Sequence, residues 1–133
     1  MSMEEHLARH LADTLSPDAS VRATASDAVE QLTSQPGFGA ALVTIALTPQ
    51  VTEESTRQLA AVILKKHVRE KWSAHDRAFV APEMSGEEKA RIKTTLPAGL
   101  ADGSSKIRKD LWVCELLVCY VFRNIDFVKV MVK

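Results

Sequence analysis

Residues 57–72 read Arg-Gln-Leu-Ala-Ala-Val-Ile-Leu-Lys-Lys-His-Val-Arg-Glu-Lys-Trp, and the fold turns on how this run is read. The first half is small and apolar; the second turns basic and ends on Trp72. With no Gly and no Pro inside it, the run predicts one helix, entered through Thr52-Glu53-Glu54. Acids at the start and bases at the end both suit the helix dipole. Leu59, Ala60, Val62, Ile63, Leu64 and Val68 make an apolar surface too wide for a helix lying on a single neighbour, so a helix packed between others is expected. The basic end, Lys65, Lys66, Arg69 and Lys71 against Glu70 alone, is left for solvent or a partner.

The same punctuation continues on both sides. Upstream, Leu7, Leu11 and Leu15 recur at steps of four and predict a helix over about 3–15. Ser16-Pro17 ends it and starts the next, with Ser16 as cap and Pro17 at the first helical position. That second helix runs to about Gln35 on the stripe Val21, Ala25, Ala28, Val29 and Leu32. Pro36-Gly37 breaks the chain before a nearly all-apolar helix at about 38–48, closed by Thr48-Pro49. Downstream, a looser stretch at about 73–84 ends near Pro82. Ser85-Gly86-Glu87-Glu88 then reads as a capping box, in which Glu88 reaches back to the Ser85 amide. A fifth helix, about 86–101, uses Ile92, Leu96 and Leu100 and should kink at Pro97, which lacks a backbone donor. Asp102-Gly103-Ser104 ends it, and a sixth helix starts near Ser105.

Six helices form three hairpins, about 3–35, 36–72 and 85–123, with lengths near those of HEAT-type pairs. The expected fold is all-α, an α-α superhelix of about three HEAT-like hairpins. Single hairpins cannot bury their apolar faces, but stacked ones can. In such a solenoid helices two, four and six share the inner, concave face, which puts the basic end of helix four on a binding surface.

Composition fits this reading. The 133 residues are 46% hydrophobic but only 5% aromatic, so the core must come from Leu, Val, Ile and Ala. One domain-sized unit is expected. Formal net charge is zero, which removes bulk attraction to nucleic acid or anionic membrane. The charge is nonetheless uneven. Residues 1–35 carry six acids and two bases, whereas residues 65–109 carry eleven bases and six acids. Such polarity can orient a protein partner. Cys114 and Cys119 fit neither a CxxC site nor a disulfide framework and read as buried, reduced thiols of an intracellular protein. The first residues lack the pattern of a secretory signal, and the apolar run 111–122 is too short to span a bilayer.

Chemistry-bearing patterns are scarce. His6 and His10 have i, i+4 spacing, but no third ligand lies nearby in sequence, so two solvated histidines are expected rather than a metal site. No nucleophile elbow and no glycine-rich phosphate loop occur. Neither an enzymatic activity nor a cofactor is expected. The cluster 65–71 reads first as a solvated helix end and next as a contact for an acidic protein surface. Nucleic acid is disfavoured, because aromatics do not interleave with the bases. Trp72 reads as the packing anchor that closes the second hairpin.

The run from Arg57 to Ala61 into Leu64-Lys65-Lys66, with Trp72 shortly after, resembles the second helical repeat of the importin-β (karyopherin-β) N-terminal domain. Leu15-Ser16-Pro17-Asp18, then Arg22-Ala23 and Ala28 to Leu32, resembles that domain's opening repeat. Lys89-Ala90-Arg91-Ile92-Lys93 and Lys106-Ile107-Arg108 extend the likeness downstream. Within the superfamily the chain is most similar to the importin-nine type, over roughly residues 3–109. The resemblance implies a nuclear transport receptor whose N-terminal repeats bind the GTP form of a Ran-type small GTPase through their inner helices and release import cargo. Lys65, Lys66, Arg69, Lys106 and Arg108 are the candidates for that surface. Import cargo proteins and nucleoporins are the further implied partners, and the cytoplasm, the nucleus and the nuclear pore the implied locations. The competing expectation is a generic HEAT-repeat scaffold or adaptor without GTPase dependence.

From Asp110 onward the likeness fails, since the family continues with an Ala-rich helix and an Asp-Trp-Pro type turn. Two segments are therefore expected: 1–109 as importin-β N-terminal-like HEAT repeats, and 110–133 as a divergent apolar tail. Family members are several times longer, so the chain reads as an N-terminal fragment or the product of an alternative gene end.

Overall fold

The computed structural model of the protein describes residues 2–48, 53–75, 77–114 and 116–118. Its helices are α1 (Met3–Asp13), α2 (Ala19–Leu32), α3 (Phe38–Ala46), α4 (Glu54–Lys71) and α5 (Gly86–Thr95). A 3-10 helix, Leu96–Ala101, follows α5, and a further helix, α6, covers 105–114, with 116–118 also helical. No strand occurs among the described residues. The fold is all-α, as the helical stripes predict.

The helices pack in two layers. α1 pairs with α2, and α3 pairs with α4. α1 also packs on α3, and α3 on α5, so the first helix of each hairpin stands beside the next. This is the HEAT-like arrangement expected of stacked hairpins. One core cluster runs through the stack, with Leu7, Leu11, Phe38, Leu42, Leu64, Ile92, Leu96, Ile107 and Leu111 fully buried. At this depth truncating one Leu to Ala costs about 2–5 kcal/mol.

α3 lies at the centre. Eight of its nine residues are buried, and it carries no acid in its first turn and no base in its last. A helix apolar all round belongs in the interior. Gly37 starts it at φ 90°, a left-handed conformation that side-chain-bearing residues rarely adopt. Because glycine has no side chain to cap the exposed amides, this helix end must find a partner elsewhere.

Several local expectations are corrected. α1 ends at Asp13, and Leu15 lies beyond it, 48% exposed, so the buried stripe is Leu7 and Leu11 alone. The cap of α2 is Asp18, not Ser16. Its Oδ1 accepts from the Ser20 and Val21 amides at 2.9 and 3.5 Å. The Ser20 hydroxyl, then the Ser20 and Val21 amides, hold the Asp18 carboxyl below its ordinary range. Ser16 instead accepts from the Asp18 amide, and α2 stops at Leu32 rather than Gln35. A carboxylate is at least as good a cap as a hydroxyl, which explains the shift of two residues. Helix five does not kink at Pro97. The α-helix ends at Thr95, and Pro97 sits in the first turn of the 3-10 helix, where its missing N–H costs nothing. Leu100's side chain, Cys119 and the tail residues 119–133 lie outside the described positions; Cys114 is buried.

Candidate functional site

The charged residues fall into two groups, one inside the stack and one on its surface. The inner group was not legible as such. Ser85 does accept from the Glu88 amide at 3.2 Å, which is half of the expected capping box. The other half is absent, because the Glu88 carboxylate turns inward. Its Oε1 accepts from the backbone amides of Gly39 and Ala40 at 2.8 and 3.2 Å. Glu88 thus supplies, from α5, the cap that Gly37 cannot give α3. An anion at this end also suits the helix dipole.

The opposite end of α3 is held by a cation. Arg57, in the first turn of α4, donates through Nε to the Ala46 carbonyl at 2.9 Å. Its guanidinium pairs with the Asp102 carboxylate, and both side chains are buried. Asp102 also accepts from the Ser104 amide at 2.9 Å, so it closes the 3-10 helix and starts α6. The Arg57 of the Arg-Gln-Leu-Ala-Ala run is therefore a structural tie between α3, α4 and the entry to α6.

His67 completes the inner group. It is buried, with its ring edge-on to Phe38 at 4.9 Å between centroids. Burial pushes its pKa down from 6.5 to about 4; the Glu88 carboxylate pulls it up, and Lys71 pushes it further down. The imidazole is neutral at physiological pH. Trp72 is buried, as expected of an anchor. Lys89 and Lys93 lie over its ring at 5.7 and 5.8 Å from the centroid, close enough for cation–π attraction.

The outer group contains the sequence-derived candidates. On α4, Lys66 is open to solvent, its side chain 76% exposed and only 4.0 Å from Glu70, and Arg69 is exposed. Lys65 is not free. It bridges to Asp110 of α6 at 3.0 Å with both side chains partly buried. Lys71, expected at the open basic end, donates instead to the Val80 and Ala81 carbonyls at 2.8 and 3.1 Å. Val62, expected on the buried face of α4, is exposed, while Arg57 and His67 are buried in its place. On α6, Lys106, Arg108 and Lys109 are exposed, and Arg108 donates to the Asp102 carbonyl at 2.6 Å. The Lys65–Asp110 bridge sets the basic segment of α4 beside that of α6.

Among the described residues no three His, Cys, Asp or Glu side chains stand together in a way that could hold a metal ion. No helix among them is long and apolar enough to cross a membrane.

Stacked α-hairpins with charged ties between layers define a helical-repeat domain of the HEAT-like class. Residues 25–102 match the family model of the importin-beta N-terminal domain. The chain belongs to the importin-β family. It is also similar to Importin-9 of Drosophila melanogaster, 31% identical over 113 residues, a span of 83% of this chain and 11% of that relative.

Proposed function

We propose that this domain belongs to a nuclear transport receptor and binds the GTP form of a Ran-type small GTPase. Lys66 and Arg69 of α4, with Lys106 of α6, form the contact surface; Arg108, two residues from Asp110 and so on the other side of α6, donates to the Asp102 carbonyl and lines the groove beside Trp112. Membership of the importin-β family supports the partner class. The observation that carries the choice of residues is the Lys65–Asp110 bridge, which joins two basic segments 45 residues apart into one surface. Lys65 serves here as the tie that aligns the two helices, and the exposed neighbours face the partner. Charges of this kind act on encounter rate and orientation more than on final affinity.

In the receptor as a whole, GTPase binding at these repeats is negatively coupled to cargo binding elsewhere on the solenoid. Coupling of this sort is reciprocal, so cargo weakens the GTPase as the GTPase weakens cargo. The domain then works between cytoplasm and nucleus. The test is a binding titration of the chain against Ran loaded with a non-hydrolysable GTP analogue and against Ran loaded with GDP. Preference for the GTP form is the expected result. Equal or absent binding to both would leave a helical scaffold without GTPase dependence.

A further inference from the structure

A cavity of about 240 Å³ lies where the α2–α3 turn, the last turns of α4 and the start of α5 meet. Every residue lining it is among the described ones. Two of these, His67 and Glu88, are more than nine-tenths buried, each 8% exposed. They stand side by side, because a Cβ on Gly39 would come within 3.1 Å of the His67 ring and 3.2 Å of the Glu88 carboxylate. Neither group is fully used. Glu88 bonds the Gly39 and Ala40 amides through Oε1, which leaves Oε2 without a partner among the described residues. The His67 imidazole packs edge-on against Phe38 and makes no hydrogen bond among those residues. No side-chain nitrogen or oxygen there is both fully buried and unpartnered, so the spare atoms of both groups open on the cavity that they line.

What these two groups offer is acceptor capacity. A carboxylate only accepts, and a neutral imidazole presents one accepting nitrogen. The local field has the same sense. At the His67 ring the Glu88 carboxylate outweighs the Lys71 ammonium, which also lines the cavity and donates to the Val80 and Ala81 carbonyls. Pro36, Pro82 and Met84 give the cavity an apolar wall. Acceptors set in an apolar-walled cleft suit a donor-rich head on an aliphatic stem. The volume is below the range of drug-sized pockets, so the stem is short. We propose that this cavity binds a primary ammonium on a short unbranched chain, its head donating to Glu88 Oε2 and the His67 ring and its chain lying against Pro36, Pro82 and Met84. A free alkylamine and a lysine side chain of another protein share that chemistry. The proposal goes beyond the GTPase reading and uses none of the residues assigned to that surface.

The test is a titration of the full, isotope-labelled chain with n-butylamine, followed by NMR. The Gly39 and Ala40 amides report on Glu88, and the ring protons report on His67. Butylammonium should shift these signals saturably. n-Butanol, of similar size but uncharged, should bind about tenfold more weakly or worse, the worth of a hydrogen bond to a charged group. His67→Phe and Glu88→Gln should each weaken binding severalfold. Both lie in the core, so a third variant tests the site with the fold left intact. Ser34 is exposed and lines the cavity, and Ser34→Lys places a tethered ammonium there, which should exclude butylamine. Nα-acetyl-lysine methylamide separates the sources: affinity equal to that of butylamine identifies a protein side chain, and severalfold weaker binding identifies a free amine. Shifts that do not saturate, equal affinity for butanol, or undiminished butylamine binding by Ser34→Lys would each overturn the proposal.

Discussion

The charges around α3 and the charges on the outer sides of α4 and α6 obey opposite rules. Glu88, Arg57 and Asp102 are desolvated, and each is matched by specific donors or acceptors. Lys66 and Arg69 are wet and hold no partner at close range that the fold depends on. The inner set exists because α3 is apolar throughout and cannot cap itself. An acid closes its N-terminus and a base its C-terminus, each in the sense the dipole favours. The outer set contributes little to the fold and is therefore free for recognition. Burial, not charge itself, decides which role a residue takes.

The most severe way to break this contrast is to remove Arg57. Arg57→Leu leaves the Asp102 carboxylate buried without its cation and the Ala46 carbonyl without its donor. Loss of one partner of a buried pair costs about 3–5 kcal/mol. Urea unfolding should show the midpoint falling accordingly. Arg57→Lys should rescue only part, because one ammonium cannot serve both acceptors with the fork geometry of a guanidinium. A midpoint near the parent's for Arg57→Leu would mean that the tie is idle.

Next comes acid. His67 is neutral in the folded chain down to about pH 4, whereas its unfolded value is 6.5. Above pH 6.5 both states are neutral and His67 adds no pH dependence. As pH falls from 6.5 towards 4 the unfolded state takes up a proton that the folded state does not, so stability declines through that window. A difference of this size corresponds to about 3 kcal/mol at the acid end. His67→Phe should flatten the decline in urea titrations between pH 6.5 and 4. An equally steep profile in that variant would place the sensitivity elsewhere.

A smaller effect is expected at the other end of α3. Glu88→Ala strands the buried Gly39 and Ala40 amides, and bonds to a charged acceptor are worth roughly 1.5–3 kcal/mol. Glu88→Gln keeps a neutral acceptor and should lose less. Gly39→Ala attacks the same point sterically. A Cβ there would come within 3.1 Å of His67 and Met84 and 3.2 Å of Glu88, so the clamp would have to shift. Thermal melts of the three variants should rank Gln nearest to the parent; a Gln variant as unstable as Ala would show that charge, not bond count, holds the amides.

These inner residues also mark where sequence reading stops. The helices and their order follow from stripes of period near 3.6 and from Pro, Gly and Ser breaks, which are local signals. Leu7, Leu11, Leu64 and Ile92 are buried where those stripes place them. Ser85-x-x-Glu88 is a local signal too, yet only its serine half behaves locally. Glu88 has a stronger claim 49 residues away, and no short-range pattern announces that. Arg57 likewise carries no local sign of its role, because its partner Asp102 lies 45 residues later. Long-range pairing of opposite charges leaves no periodic trace. Of the candidate surface, the exposure of Lys66 and Arg69 followed from their place on the polar side of α4, while the engagement of Lys65 depended on Asp110, in another hairpin.

The smallest effect on the fold is expected from the residues given the largest role in binding. Lys66→Glu with Arg69→Glu alters two wet side chains, and ordinary surface substitutions change stability by no more than about 0.5 kcal/mol each. Reversal at 66 also places an acid four residues before Glu70 and three before the reversed position 69, a repulsion of roughly 0.2–0.5 kcal/mol for each of those pairs. The melting profile should therefore stay close to the parent's. Binding to GTP-loaded Ran should fall severalfold, mainly through a slower association rate, and the difference between parent and variant should shrink as salt is raised. Lys65→Ala separates the two roles. It removes a partly buried tie, so it should cost about 1 kcal/mol of stability and weaken binding only as far as α4 and α6 lose their alignment. If the Lys66/Arg69 reversal binds as tightly as the parent while Lys65→Ala does not, recognition runs through the bridge itself, and the division between inner and outer charges must be redrawn with Lys65 among the contact residues.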